Sequence, residues 1–260
     1  MKKVWLTSVG SGEETVKGIM KQFKTYGLEV DGHFWNNDLK GIAWMAPRDN
    51  LIDPAVAIWL IIGSAEELLA PDNLYGLTLL TITVQAQRGS HFPIVILQTQ
   101  GQLLEPDQLS TPLKGVNVRM ASDTGLGAKI VAKVHTTPAP NPIAPEYHLD
   151  MYANEQIGQW FEIVPVSSSW PGVMFGVSDG EIAFHAVGPK GQLPRKTVLN
   201  FPMQGLKLQM GEKDYLAWAT QNELDPETSY FVKVDGNPES IIFGPYSTDE
   251  AADVFVVKLK

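Results

Sequence analysis

Thr137-Pro138-Ala139-Pro140-Asn141-Pro142-Ile143-Ala144-Pro145 is the stretch on which the fold turns. Each proline removes a backbone donor and restricts its predecessor, so four prolines in residues 138–145 stop both a helix and a central strand. Before this seam, short apolar runs alternate with helix-like stretches. After it, nearly everything reads as strand and turn. The expectation is an α/β plus all-β chain with a domain at 1–137, a Pro-rich linker at 138–145 and a second domain at 146–260.

At 260 residues, with 44% hydrophobic and 19% charged side chains, the chain can bury two ordinary cores. Cysteine is absent, which excludes disulfides, thiolate nucleophiles and Cys-bound metal from this sequence. The five histidines (His33, His91, His135, His148 and His185) lack metal-ligand spacing, so neither a metal nor another cofactor is expected. Behind Met1-Lys2-Lys3 the apolar run is only Val4-Trp5-Leu6, too short for a secretory signal, and the expected location is cytoplasmic. The formal charge of −9 is uneven. Residues 1–137 carry 12 basic against 13 acidic side chains, and the rest carry 8 against 16. Neither half offers the basic footprint of a nucleic-acid binder or of a protein held on an anionic membrane.

Within the first half, Val4 to Ser8 reads as a strand. Val16, Ile19, Met20 and Phe23 then mark one face of a helix ending near Gly27. Leu28–Trp35, Ala55–Ile62, Ile94–Leu97 and Val116–Met120 read as further strands, with helices over Leu74–Gln87 and Gly127–His135. The unbroken apolar run at Ala55–Ile62 fits a parallel strand covered on both faces. This alternation predicts a doubly wound parallel sheet of flavodoxin-like size, whose ligands bind at the carboxyl ends of strands near the switch in strand order. The loops there supply the candidate ligand-binding residues: Ser8, Gly10, Ser11 and Gly12, then His33, then Gly63 and Ser64, with Glu66 and Glu67 beside them. Glycines and serines before a helix turn N–H groups toward an anion. The same residues also suit a plain strand-to-helix turn in which Ser11 caps the helix.

Read in order, Leu6-Thr7-Ser8, Tyr26-Gly27-Leu28, Asp38-Leu39-Lys40-Gly41-Ile42-Ala43-Trp44, Ile58-Trp59-Leu60-Ile61-Ile62-Gly63-Ser64 and Phe92-Pro93-Ile94-Val95-Ile96-Leu97 follow one recognisable succession. Over residues 2–137 this resembles a TIR-type domain. The resemblance implies the Rossmann-like fold already read from the alternation. Enzymatic members of that family cleave the nicotinamide–ribose bond of NAD with a glutamate on the helix after the third strand. Counted from Ser64, that position falls near Gly76, and no acid lies between Asp72 and Glu105. Glu66 or Glu67 replaces it only if their loop folds back over the crevice. The Thr7-Ser8-Val9-Gly10-Ser11 stretch is also similar to the FMN phosphate loop of flavodoxins, but Glu13 and Glu14 follow where a phosphate would be repelled.

From Tyr147 onward, short alternating pieces separated by turns predict about eight strands in an antiparallel β-sandwich or small barrel. The pieces are Gly158–Val166, Val173–Val177, Glu181–Val187, Thr197–Phe201, Leu206–Met210, Tyr215–Ala219, Tyr230–Val234 and Ser240–Phe243. Ser178-Asp179-Gly180 reads as a hairpin turn, Ser247–Glu250 as a helix cap, and Val254–Val257 as a closing strand. Trp160, Trp170, Tyr215 and Trp218 either fill the core or line a carbohydrate or peptide site. The functional expectation is a non-catalytic binding or signalling protein that contacts a protein partner or a small anionic or nucleotide-like ligand. The alternative is an NAD or nucleotide hydrolase using Glu66 or Glu67.

Overall fold

The apolar run that ends at Gly63 becomes the middle strand of a five-stranded parallel sheet in a computed structural model describing residues 2–136, 145–247 and 254–260. The proline-rich stretch through Ala144 and Thr248–Glu250 of the expected cap lie outside the described residues. Two compact units divide the chain, Met1–Asn141 with Lys260, and Pro142–Leu259.

The first unit contains β1 (Lys3–Ser8), α1 (Glu13–Thr25), β2 (Glu29–Phe34), α2 (Arg48–Ile52), β3 (Val56–Gly63), α3 (Ala65–Leu69), α4 (Pro71–Arg88), β4 (Ile94–Gln98), β5 (Asn117–Met120) and α5 (Leu126–His135). Its strand order is β2-β1-β3-β4-β5, every pair parallel, so the order reverses between β1 and β3. Val4, Leu6, Ile58, Leu60, Val95 and Leu97 form one sheet face, packed with Val16, Ile19 and Phe23 of α1 and Leu126, Ile130 and Val134 of α5. Side chains of opposite parity, among them Trp5, Thr7 and Trp59, face the other way, and Trp59 Nε1 donates to Thr7 Oγ1 at 2.8 Å.

Helix α4 is buried without a break from Leu74 to Val84, which explains why it carries no clear apolar stripe. Its threonines remain compatible with burial because their hydroxyls donate back to helix carbonyls. Thr78 reaches Leu74 O at 2.7 Å, Thr81 reaches Leu77 O at 2.7 Å and Thr83 reaches Leu80 O at 2.8 Å.

The second unit is all β. Its strands are β6 (Tyr147–Asn154), β7 (Gly158–Pro165), β8 (Val173–Ser178), β9 (Glu181–Pro189), β10 (Met203–Met210), β11 (Lys213–Thr220), β12 (Thr228–Asp235), β13 (Ser240–Pro245) and β14 (Phe255–Lys258). They form two antiparallel sheets, β10-β11-β8-β13-β14 and β6-β7-β12-β9. Aromatic pairs join them face to face: Phe161 with Phe175 at 5.6 Å between ring centres, and Tyr147 edge-on to Phe243 at 4.7 Å. The unit is therefore a sandwich, and Trp170 and Tyr215 are buried in it.

Two local expectations are corrected. Ser178-Asp179-Gly180 does not close a hairpin, because β8 is already flanked by β11 and β13 while β9 pairs with β12 in the other sheet. The turn passes the chain between sheets, with Asp179 in the left-handed region at φ 55°. Thr197–Phe201 is irregular rather than a strand. Side-chain–backbone bonds replace a ladder: Thr197 Oγ1 accepts from Val187 N at 2.9 Å, and Asn200 N donates to Asn222 Oδ1 at 2.8 Å.

Candidate functional site

At the carboxyl ends of β1 and β3, where the strand order reverses, lies a cleft of about 590 Å³. Its floor comes from the backbone. Val9 N donates to Ile62 O at 2.7 Å, and Thr99 N donates to Gly63 O at 2.8 Å, tying three strand ends together. Gly10, Ser11, Gly12 and Thr15 form one wall, and Ser64, Glu66, Glu67 and Asn73 the facing one, with Thr99 and Gln100 beside them.

The β1–α1 loop turns sharply at Gly10, which has a φ of +70°. A Cβ there would overlap the Glu67 carboxylate, so glycine is needed for both conformation and space. Gly12, not Ser11, is the N-cap of α1, and no side chain caps that end. Ser11 Oγ is buried without a partner, while its carbonyl accepts from Ser8 Oγ at 3.2 Å. Ser8 itself is buried below the cleft. The helix thus presents uncapped N–H groups at the cleft, with the positive end of its dipole. Lys17 offsets the two acids of the first turn, lying 2.8 Å from Glu13 and 3.5 Å from Glu14. Its hydrogen bond and charge hold the Glu13 carboxyl below its ordinary range.

Across the cleft, Ser64 and Glu67 form a reciprocal cap on α3. Ser64 N donates to Glu67 Oε2 at 2.8 Å, and Glu67 N donates to Ser64 Oγ at 3.2 Å. Asn73 Nδ2 donates to the Glu67 carbonyl at 2.8 Å and joins α4 to this turn. Glu66 is exposed at the rim and Glu67 is half-buried. Gly63 keeps its place because a Cβ would come within 2.9 Å of Val9 O and 3.1 Å of Leu68 Cγ.

His33 stands apart from these walls. It lies within β2 rather than in the following loop, and Trp5 Nε1 donates to its Nδ1 at 3.2 Å. That bond leaves the neutral ring's proton on Nε2, which is buried without a partner. Burial lowers its pKa to about 4. The Gly76 position is equally closed to chemistry: a Cβ there would meet Trp35 Cζ2 at 2.8 Å and Trp44 Cβ at 3.2 Å.

Of the sequence-selected residues, Gly10, Ser11, Gly12, Ser64, Glu66 and Glu67 share one cleft, Ser8 and Gly63 support it, and His33 does not reach it. Sequence reading missed Thr15 and Asn73. Thr15 follows the paired acids of the first helical turn, and Asn73 immediately precedes the apolar periodicity that defined the α4 expectation, so neither stood in a loop after a strand. Among the described residues no group of three or more His, Asp or Glu side chains is placed to hold a metal, and no helix is long and apolar enough to cross a membrane. In comparisons with known proteins, the chain matches no family model and no curated protein.

Proposed function

We propose that this protein is a binding or signalling module whose α/β unit takes a small polar ligand, neutral or singly anionic, in the cleft between β1 and β3. The observation that carries the reading is the pairing of an uncapped α1 start with a facing carboxylate already engaged by the Ser64 N–H. The N–H groups favour an acceptor or a single negative charge, and Glu66 and Glu67 disfavour a triphosphate. No histidine lines the cleft, so Ser11 and Ser64 have no imidazole base to activate them. Contact with a protein partner through the same unit is compatible with this reading.

A second reading, cleavage of NAD or another nucleotide, draws support from Glu66 and Glu67 lining the cleft. Incubation of the full chain with NAD separates the two. The binding reading expects no nicotinamide release, together with amide shifts at Gly10 and Gly12 on addition of NAD, whose net charge is a single negative one. Steady nicotinamide release that disappears in Glu67→Gln overturns it in favour of the hydrolase.

A further inference from the structure

A second pocket of the first unit, about 400 Å³, opens at the amino ends of the central strands, the end of the sheet opposite the cleft. Five of its twelve lining residues are basic or imidazole side chains, namely Lys2, Arg88, His91, Lys133 and His135, and none is acidic. In a chain of formal charge −9 this is a concentrated exception.

Arg88 is its fixed point. One terminal nitrogen donates to Leu51 O at 3.0 Å and to Asp53 O at 2.7 Å, and the other donates to Val56 O at 2.8 Å. The guanidinium carbon also lies 4.4 Å from the centre of the Phe92 ring. Carbonyls orient the guanidinium without cancelling its charge. The acid it senses, Asp53, directs its own Oδ1 to Ala55 N at 2.9 Å. Lys2 and Lys133 are exposed and have no ion-pair partner among the described residues.

Helix dipoles explain part of this charge. Arg88 ends α4, and Lys133 and His135 end α5, where each carbonyl terminus carries about half a negative charge. Lys2 ends no helix, and the two full charges of Arg88 and Lys133 exceed the two half-charges they face. The surplus faces one concave space large enough for a small molecule.

We infer that this pocket binds a multiply charged phosphate-bearing small molecule, with the preorganised Arg88 and the mobile-headed Lys2 and Lys133 sharing its oxygens. The geometry suits several spread phosphoryl oxygens, because the cations approach from the β1 start, the α4 end and the α5 end. This inference does not rest on the ligand proposed for the cleft.

The probe is inorganic pyrophosphate, titrated into the full chain at physiological ionic strength while backbone amides are followed. Saturable shifts are expected at Lys2, Gly89 to His91 and Lys133 to Thr136. Lys133→Glu and Lys2→Glu should each weaken pyrophosphate by about tenfold, Lys2→Glu without altering the melting transition and Lys133→Glu with a small drop in it, because an acid then faces the carbonyl end of α5. Arg88→Gln is unsuitable alone, since it also releases three backbone carbonyls. Lys21→Glu, on exposed α1, removes the same charge elsewhere and should leave the affinity unchanged. Shifts confined to Gly10 and Gly12, an affinity untouched in both pocket variants, or equal weakening by Lys21→Glu would each overturn the proposal.

Discussion

At the scale of single residues, His33 (half-buried) and His185 (buried) each make stability sensitive to acid. His33 sits under Trp5 in the first unit. In the second, His185 is 3% exposed, with Nδ1 at 2.7 Å from the Tyr230 hydroxyl and its ring edge-on to Trp218. Burial lowers both to about 4, from an ordinary value of 6.5. Between those pH values the unfolded chain binds more protons than the folded one, so stability falls as pH drops through this window and levels off below it. Above about 6.5 neither group contributes. The imidazole proton signals of both residues should titrate with midpoints near 4, and His185→Gln should flatten the acid-side loss of urea resistance. A midpoint near 6.5 for either ring would contradict its burial in a neutral form. His33 also marks a limit of sequence reading. Its position near a strand end was legible, but the side of the sheet to which its ring turns, and the indole that meets it, depend on register.

Among the elements, α3 is the shortest that shapes the cleft, and it is held by its cap. A five-residue helix has little cooperative stability of its own, so the Ser64–Glu67 exchange sets its position. Ser64→Ala should cost about 1 kcal/mol in unfolding free energy, because it removes the acceptor for Glu67 N. Gly10→Ala should cost about 1–2 kcal/mol for the left-handed backbone alone, with the displaced Glu67 carboxylate adding to that. Chemical denaturation of both variants checks these values, and a neutral Gly10→Ala would mean the loop relaxes freely. The central parallel strands β3 and β4 were legible because strands covered on both faces are apolar almost throughout. Strand pairing in the sandwich was not. Alternation identifies β8 and β9 but carries no information about their neighbours, and so Ser178-Asp179-Gly180 reads as a hairpin turn although it bridges two sheets. Likewise Thr197-Val198-Leu199 has strand-like composition, yet side-chain bonds from Thr197 and Asn222 hold the segment in a loop.

Over the whole molecule, each sheet closes its hydrogen bonding within one unit, and each unit has its own apolar interior. The change from alternating to serial elements across the prolines was visible in the sequence because it changes the hydrophobic period itself. The position of the cleft was legible too, since it follows from strand order. The chemistry of its walls was only half legible: loop residues after strands could be named, whereas Thr15 and Asn73 enter from helices. If each unit is a folding domain, fragments 1–136 and 145–260 should each unfold cooperatively, because both sizes lie within the range where a single core suffices. The first fragment should carry the helical circular dichroism, as all five α-helices fall within it among the described residues. The second should give a β spectrum and retain the near-ultraviolet signal of its packed aromatics, with Phe161 on Phe175 and His185 against Trp218 as its internal contacts. Strong helical dichroism in 145–260 would refute the division of secondary structure. A second fragment that stays unfolded until the first is added would show that the sandwich depends on its neighbour.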